Sequence, residues 1–363
     1  MKGFYRYLAP FAPDYSGAVS VLFDMGGLIV LCDPGGCSGN VCGYDEPRFY
    51  GSHGRIFSAA LRDMDTIFGR DDKLLSKIVS AMRGRHYPFA ALIGTPVTGV
   101  IGTDLKAVAR MASKELGMPV LAIDTNGSDT YETGQKKAWR ALLAAFGPGT
   151  DTAVSKSIEA KEKKTVLVLG ATPLDCTADC GLEALKRTMR ESAPDKEFIF
   201  AGDPGTYRIG ELAVLANEAV VCSPAALESA RFLEKHGIPF TSRCVFPEEF
   251  ARIAEAVCAF PGSSPKILAV HQQIAANSLR EKLSEVRPDA SVHAASFFGL
   301  DAKLANDGDL ALKEEDDFMA AAGGADIIIG DPLFKRALAG SKALFLDLPH
   351  FAVSGDLFAR SVP

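Results

Sequence analysis

Short, continuous apolar runs alternate with amphipathic segments along this chain, and this alternation limits the folds that the chain can adopt. The apolar runs are GLIVL (27–31), FAALIG (89–94), PVLAID (119–124), TVLVLG (165–170), EFIFAG (197–202), EAVVC (218–222), KILAVH (266–271), SVHAAS (291–296), ADIIIGD (325–331) and KALFLDL (342–348). Such runs are typical of strands buried on both faces. Segments 105–116, 182–192 and 226–237 between them carry apolar residues at helical spacing. Strand–helix alternation predicts an α/β fold with right-handed crossovers and mainly parallel sheets.

Two stretches of small and polar residues divide this pattern into three parts. FGPGTDTAVSKSIEAKEKK (146–164) precedes one strand, and FPGSSPK (260–266) precedes another. A domain typically contains about 100–200 residues, so 363 residues allow two or three domains. We expect three Rossmann-like domains, over residues 1–150, 165–262 and 263–363.

The charge balance and hydropathy exclude several classes of protein. The formal net charge is -6, without a stripe dense in lysine and arginine, which argues against binding nucleic acid through phosphate neutralisation. No apolar run approaches the roughly 18–20 residues that span a bilayer. No secretory signal is visible, so we expect a cytoplasmic protein that binds no membrane. Disulfides are rare in that compartment, and the eight cysteines therefore need another explanation.

Three of these cysteines lie in one glycine-rich loop, CDPGGCSGNVCG (32–43). Cys32, Cys37 and Cys42 follow a C-x4-C-x4-C spacing, and thiolates are the soft ligands that iron–sulfur clusters use. Glycines such as Gly36 let the backbone wrap a bulky inorganic core and offer amide N–H groups to its sulfurs. We predict that Cys32, Cys37 and Cys42 ligate an iron–sulfur cluster, with a fourth ligand or a second chain completing it. The alternative is that the three thiols simply pack in a tight loop.

Other motifs are absent or ambiguous. The glycine fingerprints of dinucleotide and nucleotide sites, the HExxH zinc motif and the GxSxG nucleophile elbow do not occur, which argues against kinases and hydrolases. Cys176 and Cys180, after the TVLVLG run, form a C-x3-C pair. Such a pair can bind a metal or lower a thiol pKa, or it can pack in a core.

In order along the chain, several segments resemble nitrogenase component 1 and the nitrogenase-like reductases. YLAPFAPDYSGAVSVLFDMGGLIVLCDPGGCSGN (7–40) has the layout of the family's opening, with Gly36 and Cys37 where its second cluster cysteine falls. IGTPVTGVIGTDL (93–105) resembles a later segment, but Thr95 replaces its cysteine. The family's first cysteine is also absent. We therefore expect the cluster to be relocated onto the single loop that also holds Cys32 and Cys42.

The second half of the chain adds two matches. LANEAVVCSPAALESARFLEKHGIPF (215–240) resembles the family segment that ligates the terminal iron of the nitrogenase cofactor, with Cys222 at the ligand. PHFAVSGDLFAR (349–360) resembles the segment of the histidine ligand, with His350 at that position. The resemblance implies that Cys222 and His350 are catalytic residues that bind a second metallocofactor or line a substrate cavity. The alternative is that they are inherited positions that bind nothing.

The resemblance implies a redox function in an anaerobic setting. The chain would accept low-potential electrons from an ATP-hydrolysing iron-protein reductase and pass them to a small-molecule substrate or cofactor. A 4Fe–4S cluster, or an eight-iron cluster like the nitrogenase P-cluster, would lie at the interface of a homodimer or of a heterodimer with a paralogous subunit. Alternatives are a scaffold or carrier for metallocofactor assembly, a tetrapyrrole reductase subunit, and a zinc-stabilised or metal-free domain that binds a small ligand.

Overall fold

The computed structural model describes residues 5–51, 56–62, 71–149, 163–177 and 181–357, and these contain three parallel sheets. The first sheet has the strand order β2-β1-β3-β4. Its strands are β1 (Leu28–Leu31), β2 (Ile56–Ser58), β3 (Ala90–Ile93) and β4 (Val120–Ile123). The helices of this part are α1 (Asp14–Leu22), α2 (Gly36–Asn40), α3 (Asp71–Met82), α4 (Pro96–Ile101), α5 (Leu105–Leu116) and α6 (Tyr131–Phe146). The central strands β1 and β3 are buried along their whole length, as their continuous apolar sequences predict.

The second sheet has the order β6-β5-β7-β8. Its strands are β5 (Lys164–Leu169), β6 (Lys196–Phe200), β7 (Glu218–Val221) and β8 (Phe240–Ser242). Its helices are α7 (Gly181–Ser192), α8 (Ile209–Leu215), α9 (Leu227–Glu234) and α10 (Pro247–Ala259). Since β6 lies on one side of β5 and β7 on the other, the sheet reverses its winding at β5, and the loops after β5 and β7 meet at one edge.

The third sheet has the order β11-β10-β9-β12-β13. Its strands are β9 (Lys266–Val270), β10 (Ser291–Ser296), β11 (Leu310–Ala311), β12 (Ile327–Gly330) and β13 (Leu344–Asp347). Its helices are α11 (Gln273–Val286), α12 (Glu315–Ala322) and α13 (Phe351–Ser354). Among the described residues, no helix combines the length and the apolar character that crossing a membrane requires.

The predicted α/β fold with parallel sheets is confirmed. All ten apolar runs form strands, and the three predicted helical segments form α5, α7 and α9. The sequence missed β2, β8 and β11, which are edge strands of two or three residues. Such strands are too short and too exposed to produce an apolar run. The strands of each sheet come from one part of the chain, and the exact domain boundaries stay predictions.

Helix α1 is the central helix of the molecule, because all of its residues are buried. It crosses α6 so closely that two glycines are required. A Cβ atom on Gly17 would lie 1.9 Å from the carbonyl oxygen of Tyr131, and one on Gly134 would lie 1.6 Å from the carbonyl oxygen of Asp14. This crossing fixes the start of α6, which carries residues of the core described below.

The segment before α1 fastens the first part of the chain to the third. The Glu315 carboxylate, at the start of α12, accepts the backbone N–H groups of Arg6, Tyr7 and Leu8 at 2.7–3.0 Å. The Ala12 N–H then donates to the carbonyl oxygen of Ala352 at 2.8 Å. These backbone contacts hold the N-terminal segment against α12 and α13.

Candidate functional site

The predicted cluster loop leaves the carboxyl end of β1 and turns into α2. Gly35, at the turn, has a φ of 129°, a backbone conformation that favours glycine. The buried carboxylate of Asp33 holds the turn. It accepts the Ser38 N–H at 2.8 Å, the Ser38 hydroxyl at 2.9 Å and the Ser58 hydroxyl at 2.6 Å. The loop is therefore a rigid platform attached to the first sheet.

Cys32 does not face the open side of this platform. Its side chain is fully buried in the apolar core between the first sheet and its helices. Burial, with a smaller contribution from Asp33, raises the pKa of the thiol to about 12. The Thr95 hydroxyl, at the position where the resembling family has a cysteine, donates to the Cys32 carbonyl oxygen at 2.8 Å. The side chain of Cys32 therefore faces the core rather than the open side of the loop, and its role as an iron ligand stays a prediction.

Cys37 and Cys42 are half-buried and lie on consecutive helical turns, α2 and a π-helical turn at Val41–Asp45. The thiol of Cys37 forms a hydrogen bond with the hydroxyl of Tyr15 on α1. Partial burial is the main cause that raises the pKa of both thiols, and Asp33 adds to it at each.

Around these two thiols the surface is open. A Cβ atom on Gly36, Gly39 or Gly43 would meet no atom within 4 Å. Tyr44 and Tyr50 are 76% and 80% exposed, although large aromatic side chains are usually buried. We call the surface formed by Gly36, Cys37, Gly39, Cys42, Gly43, Tyr44 and Tyr50 the loop face.

A metal site within one chain is not formed at the loop. Over the described ranges, no three side chains of histidine, cysteine, aspartate or glutamate are grouped closely enough to hold a metal ion. The single-chain site of Cys32, Cys37 and Cys42 is therefore not present in this conformation. A cluster shared between Cys37 and Cys42 of two chains stays a prediction.

A second group of residues lies in the core, where connections that follow strands of all three sheets meet. Tyr131 begins α6 after β4, Asp175 follows β5, and His350 follows β13; each is at most 1% exposed. The Tyr131 hydroxyl is 3.1 Å from Oδ1 of Asp175 and 3.2 Å from Nε2 of His350. One hydroxyl group thus joins a carboxyl group and an imidazole inside the core.

Asp175 is held by donors on its other oxygen as well. Oδ2 accepts Nε2–H of Gln135 at 2.9 Å and the hydroxyl of Thr172 at 2.8 Å. Burial raises the pKa of Asp175 to about 6, although hydrogen bonds from Gln135, Thr172, Ser223 and Tyr131 oppose the increase. The carboxyl group therefore holds a proton more tightly than an ordinary aspartate does.

His350 is held in the core by Tyr131, whose hydroxyl lies 3.2 Å from its Nε2. The Leu174 backbone acts on the imidazole in the direction that raises its pKa. Burial is the main cause that holds the pKa of His350 well below its usual value, and the neighbouring His271 adds to it. The His271 ring stacks on it at 4.1 Å between centroids and 20° between planes. The role of His350 as a metal ligand stays a prediction.

Cys222 follows β7 and is also fully buried. Burial and the nearby Asp175 raise the pKa of its thiol to about 12. Cys176 and Cys244 lie close enough to influence Cys222 electrostatically, and burial raises the pKa of both well above the usual value. The predicted pair of Cys222 and His350 thus lies in the same buried core, and its role in binding a metal stays a prediction. Cys180 lies outside the described residues.

Sequence reasoning missed Tyr131, Asp175, Gln135 and His271. Asp175 and His271 lie in the connections after β5 and β9, and Tyr131 and Gln135 lie in the first two turns of α6, which follows β4. The carboxyl ends of strands are where α/β folds place ligands and chemistry, and this edge was the available signal. His271 carries a further feature that sequence gives no hint of. Its Nδ1 is buried without a hydrogen-bond partner, and burial lowers its pKa to about 4.

Comparison with known proteins agrees with this arrangement of three sheets. The sequence profile of the nitrogenase component 1 type oxidoreductases matches residues 13–323. The chain belongs to this family.

Curated relatives of this component 1 chain include proteins of two kinds. The nitrogenase iron-molybdenum cofactor biosynthesis protein NifE of Methanococcus maripaludis is 25% identical over 67% of this chain and 50% of its own length. NifE of Clostridium pasteurianum is 34% identical over 26% of this chain and 21% of its own length. The nitrogenase molybdenum-iron protein alpha chain of Methanothermobacter thermautotrophicus is 27% identical over 54% of this chain and 41% of its own length. The matches thus span between about a fifth and a half of the relatives' lengths.

A solved structure described as nitrogenase Cp1 at pH 5 superposes with a TM-score of 0.65. The superposition covers 96% of this component 1 chain and 85% of that chain, at 17% sequence identity. At this identity the likeness concerns the fold alone, and it supports the prediction of nitrogenase-type, Rossmann-like units.

Proposed function

We propose that this chain is a component 1-type redox subunit that shares one iron–sulfur cluster with a second copy of itself across the loop face. The observation that carries the proposal is the division of the loop thiols: Cys37 and Cys42 are accessible beside open glycines, whereas Cys32 is sealed in the core. Two copies then contribute four thiols, the number that a 4Fe–4S cluster uses. This ligand set is smaller than the one that Cys32, Cys37 and Cys42 of two chains would supply together.

The chain's own groups fit such a cluster at the loop face. The Tyr15 hydroxyl donates to the sulfur of Cys37 when that thiol is ionised, and hydrogen bonds to a ligating sulfur tune a reduction potential. Exposed Tyr44 and Tyr50 supply the apolar area that a second copy covers, since aromatic residues are enriched at interfaces. The cluster, when bound, supplies the capacity to take up and release one electron at low potential.

The electron donor in this proposal is an ATP-hydrolysing iron protein, as in the resembling family. The absence of a phosphate-binding glycine loop from the sequence fits ATP binding by such a partner rather than by this chain. The electrons then pass to a small molecule or cofactor held by the complex.

A second function, assembly or carriage of a metallocofactor, is favoured by one observation. NifE proteins, which are named for cofactor biosynthesis, are among the matching relatives, and one aligns with 67% of this chain. Mixing the metal-loaded protein with an apo-enzyme that lacks its metallocofactor distinguishes the two functions. Transfer of the metallocofactor to the apo-enzyme supports the carrier function, provided that this chain and its iron-protein partner show no turnover of their own.

Metal analysis of three cysteine variants tests the cluster. Protein purified without oxygen should contain iron and sulfide in near-equal amounts. Cys37→Ser and Cys42→Ser should each lose most of the iron. Cys258→Ser, which changes an exposed thiol on α10, is the matched control and should keep it. Unchanged iron in Cys37→Ser and Cys42→Ser, or a colourless protein that holds zinc alone, would overturn the proposal.

A further inference from the structure

The second sheet is uncovered on part of one face. Along β7, Ala219 and Val221 point to one face, and each is at most 1% exposed. Glu218 and Val220 point to the other face and are only half-buried. Thr241 of β8 pairs with Val220 in the ladder and is exposed. Helices normally cover both faces of a parallel sheet, so this surface over β7 and β8 lacks its usual cover.

Beside helix α7 the uncovered surface forms a groove of about 290 Å³. Its floor is apolar, because Val166 of β5, Phe198 of β6 and Val220 of β7 line it from three adjacent strands. Leu185 and Met189 of α7 add an apolar wall. Ligand sites are concave and mainly apolar with a few polar groups, and their usual volume is about 300–1,000 Å³. The groove therefore has the character of a ligand site and suits a small ligand.

Three charged side chains border the groove, and one of them is left without a charged partner. Lys196 of β6 and Glu218 of β7 form an ion pair across β5, so their charges cancel. Arg243 follows β8 and is exposed, and within the part of the chain that the structure describes no carboxylate pairs with its guanidinium group. The groove thus carries one net positive charge, on the edge of the sheet opposite to Lys196.

We propose that this groove binds a small amphipathic carboxylate. The apolar body of the ligand lies on Val166, Phe198 and Val220, and its burial removes the half-exposed part of the floor from water. The carboxylate pairs with Arg243, because a planar guanidinium group matches a carboxylate in two parallel hydrogen bonds. One unpaired cation balances one negative charge. The groove lies on a different sheet from the loop face, and the proposal does not depend on the proposed cluster.

Isothermal titration calorimetry of the anaerobically purified protein with 4-phenylbutyrate tests the site. We expect saturable binding, and binding about tenfold weaker for 4-phenylbutan-1-ol, the neutral alcohol of the same length. Arg243→Gln should weaken the binding of 4-phenylbutyrate about tenfold and leave that of the alcohol unchanged. Arg110→Gln, which changes an exposed arginine on α5, is the matched control and should affect neither ligand.

Two further measurements locate the bound ligand. In spectra of protein labelled with ¹³C-methyl methionine, 4-phenylbutyrate should shift the signal of Met189 in the groove wall. The signal of Met25, which is buried in the first part of the chain, should stay in place. Thr241→Trp changes an exposed residue of β8 that lines the groove, and the larger side chain should weaken the binding of both ligands.

Three results would overturn this binding site. The first is equal affinity for 4-phenylbutyrate and its alcohol, or an acid affinity that Arg243→Gln does not change. The second is a Met189 signal that the ligand does not shift. The third is the absence of saturable binding, which would favour a protein partner on the uncovered face instead.

Discussion

Replacing Gly134 by alanine tests the close crossing of α1 and α6, which positions Tyr131 and Gln135 in the core. The new Cβ atom would lie 1.6 Å from the carbonyl oxygen of Asp14 and 2.5 Å from its carbonyl carbon. Both are backbone atoms, so no side-chain rotation relieves the overlap, and the helices must separate. Overpacking of a tight core typically costs about 1–3 kcal/mol, and we expect about 3 kcal/mol or more here. Alanine stabilises a helix interior by about 1 kcal/mol relative to glycine. The overlap with Asp14 outweighs this gain, so Gly134→Ala should lower the free energy of unfolding.

Urea unfolding followed by tryptophan fluorescence measures this effect. The chain has a single tryptophan, Trp139, which is buried on α6 itself and reports the loss of that helix. Gly39→Ala on α2 is the matched control, because a Cβ atom there meets nothing within 4 Å. Gly134→Ala should unfold at a clearly lower urea concentration than wild type, and Gly39→Ala at an equal or higher one. An unchanged midpoint for Gly134→Ala would refute the crossing.

Three further predictions concern Asp175, the thiols and the N-terminal segment. The pKa of Asp175 is about 6 in the folded protein against an ordinary value of 3.8, so the folded state binds this proton more tightly. The free energy of unfolding should therefore fall by about 3 kcal/mol as the pH rises from about 3 to about 7. Urea unfolding of wild type and Asp175→Asn at several pH values measures this contribution as the difference between the two proteins. Parallel curves for the two proteins would contradict it. In native apo-protein, iodoacetamide should label the exposed Cys258 first, and then the half-buried Cys37 and Cys42. The buried thiols should react only after unfolding; these are Cys32, Cys222 and Cys244. Peptide mass spectrometry measures the labelling order, and early labelling of Cys32 would refute its burial. Glu315→Gln should weaken the anchoring of the segment Arg6–Leu8 by about 1–3 kcal/mol, and proteases should therefore cleave that segment faster. Glu285→Gln, on the exposed face of α11, is the control. Equal cleavage rates in the two variants would show that the Glu315 carboxylate does not hold the segment.

Sequence reasoning succeeded where burial alone determines structure. A strand such as Leu28–Leu31 is buried on both faces, so its hydropathy reveals it. The edge strand Phe240–Ser242 is partly exposed, and nothing in its composition separates it from a loop. The close crossing at Gly17 and Gly134 depends on a distance between helices, which a single sequence does not contain.

The candidate sites illustrate the same limit. The spacing of Cys32, Cys37 and Cys42 suggested three equivalent ligands, but Cys32 is sealed because the chain is still leaving the buried end of β1 at that point. For His350, the resemblance located the residue in the core correctly. Its hydrogen-bond partner Tyr131 is 219 residues away along the chain, so no local pattern indicates this contact. Side-chain pairing across domains is therefore the part that the sequence did not provide.

The decisive test of the shared cluster is the number of iron atoms per particle, obtained by measuring the iron content and the native mass of the same preparation. Each chain has a mass of 38.6 kDa, and anaerobically purified protein should sediment as a dimer of two such chains. We predict four irons and four sulfides per dimer, and loss of both the iron and the dimer in the Cys37→Ser, Cys42→Ser double variant. A full cluster on a monomer, or a dimer whose iron is unaffected by the double variant, would contradict the account.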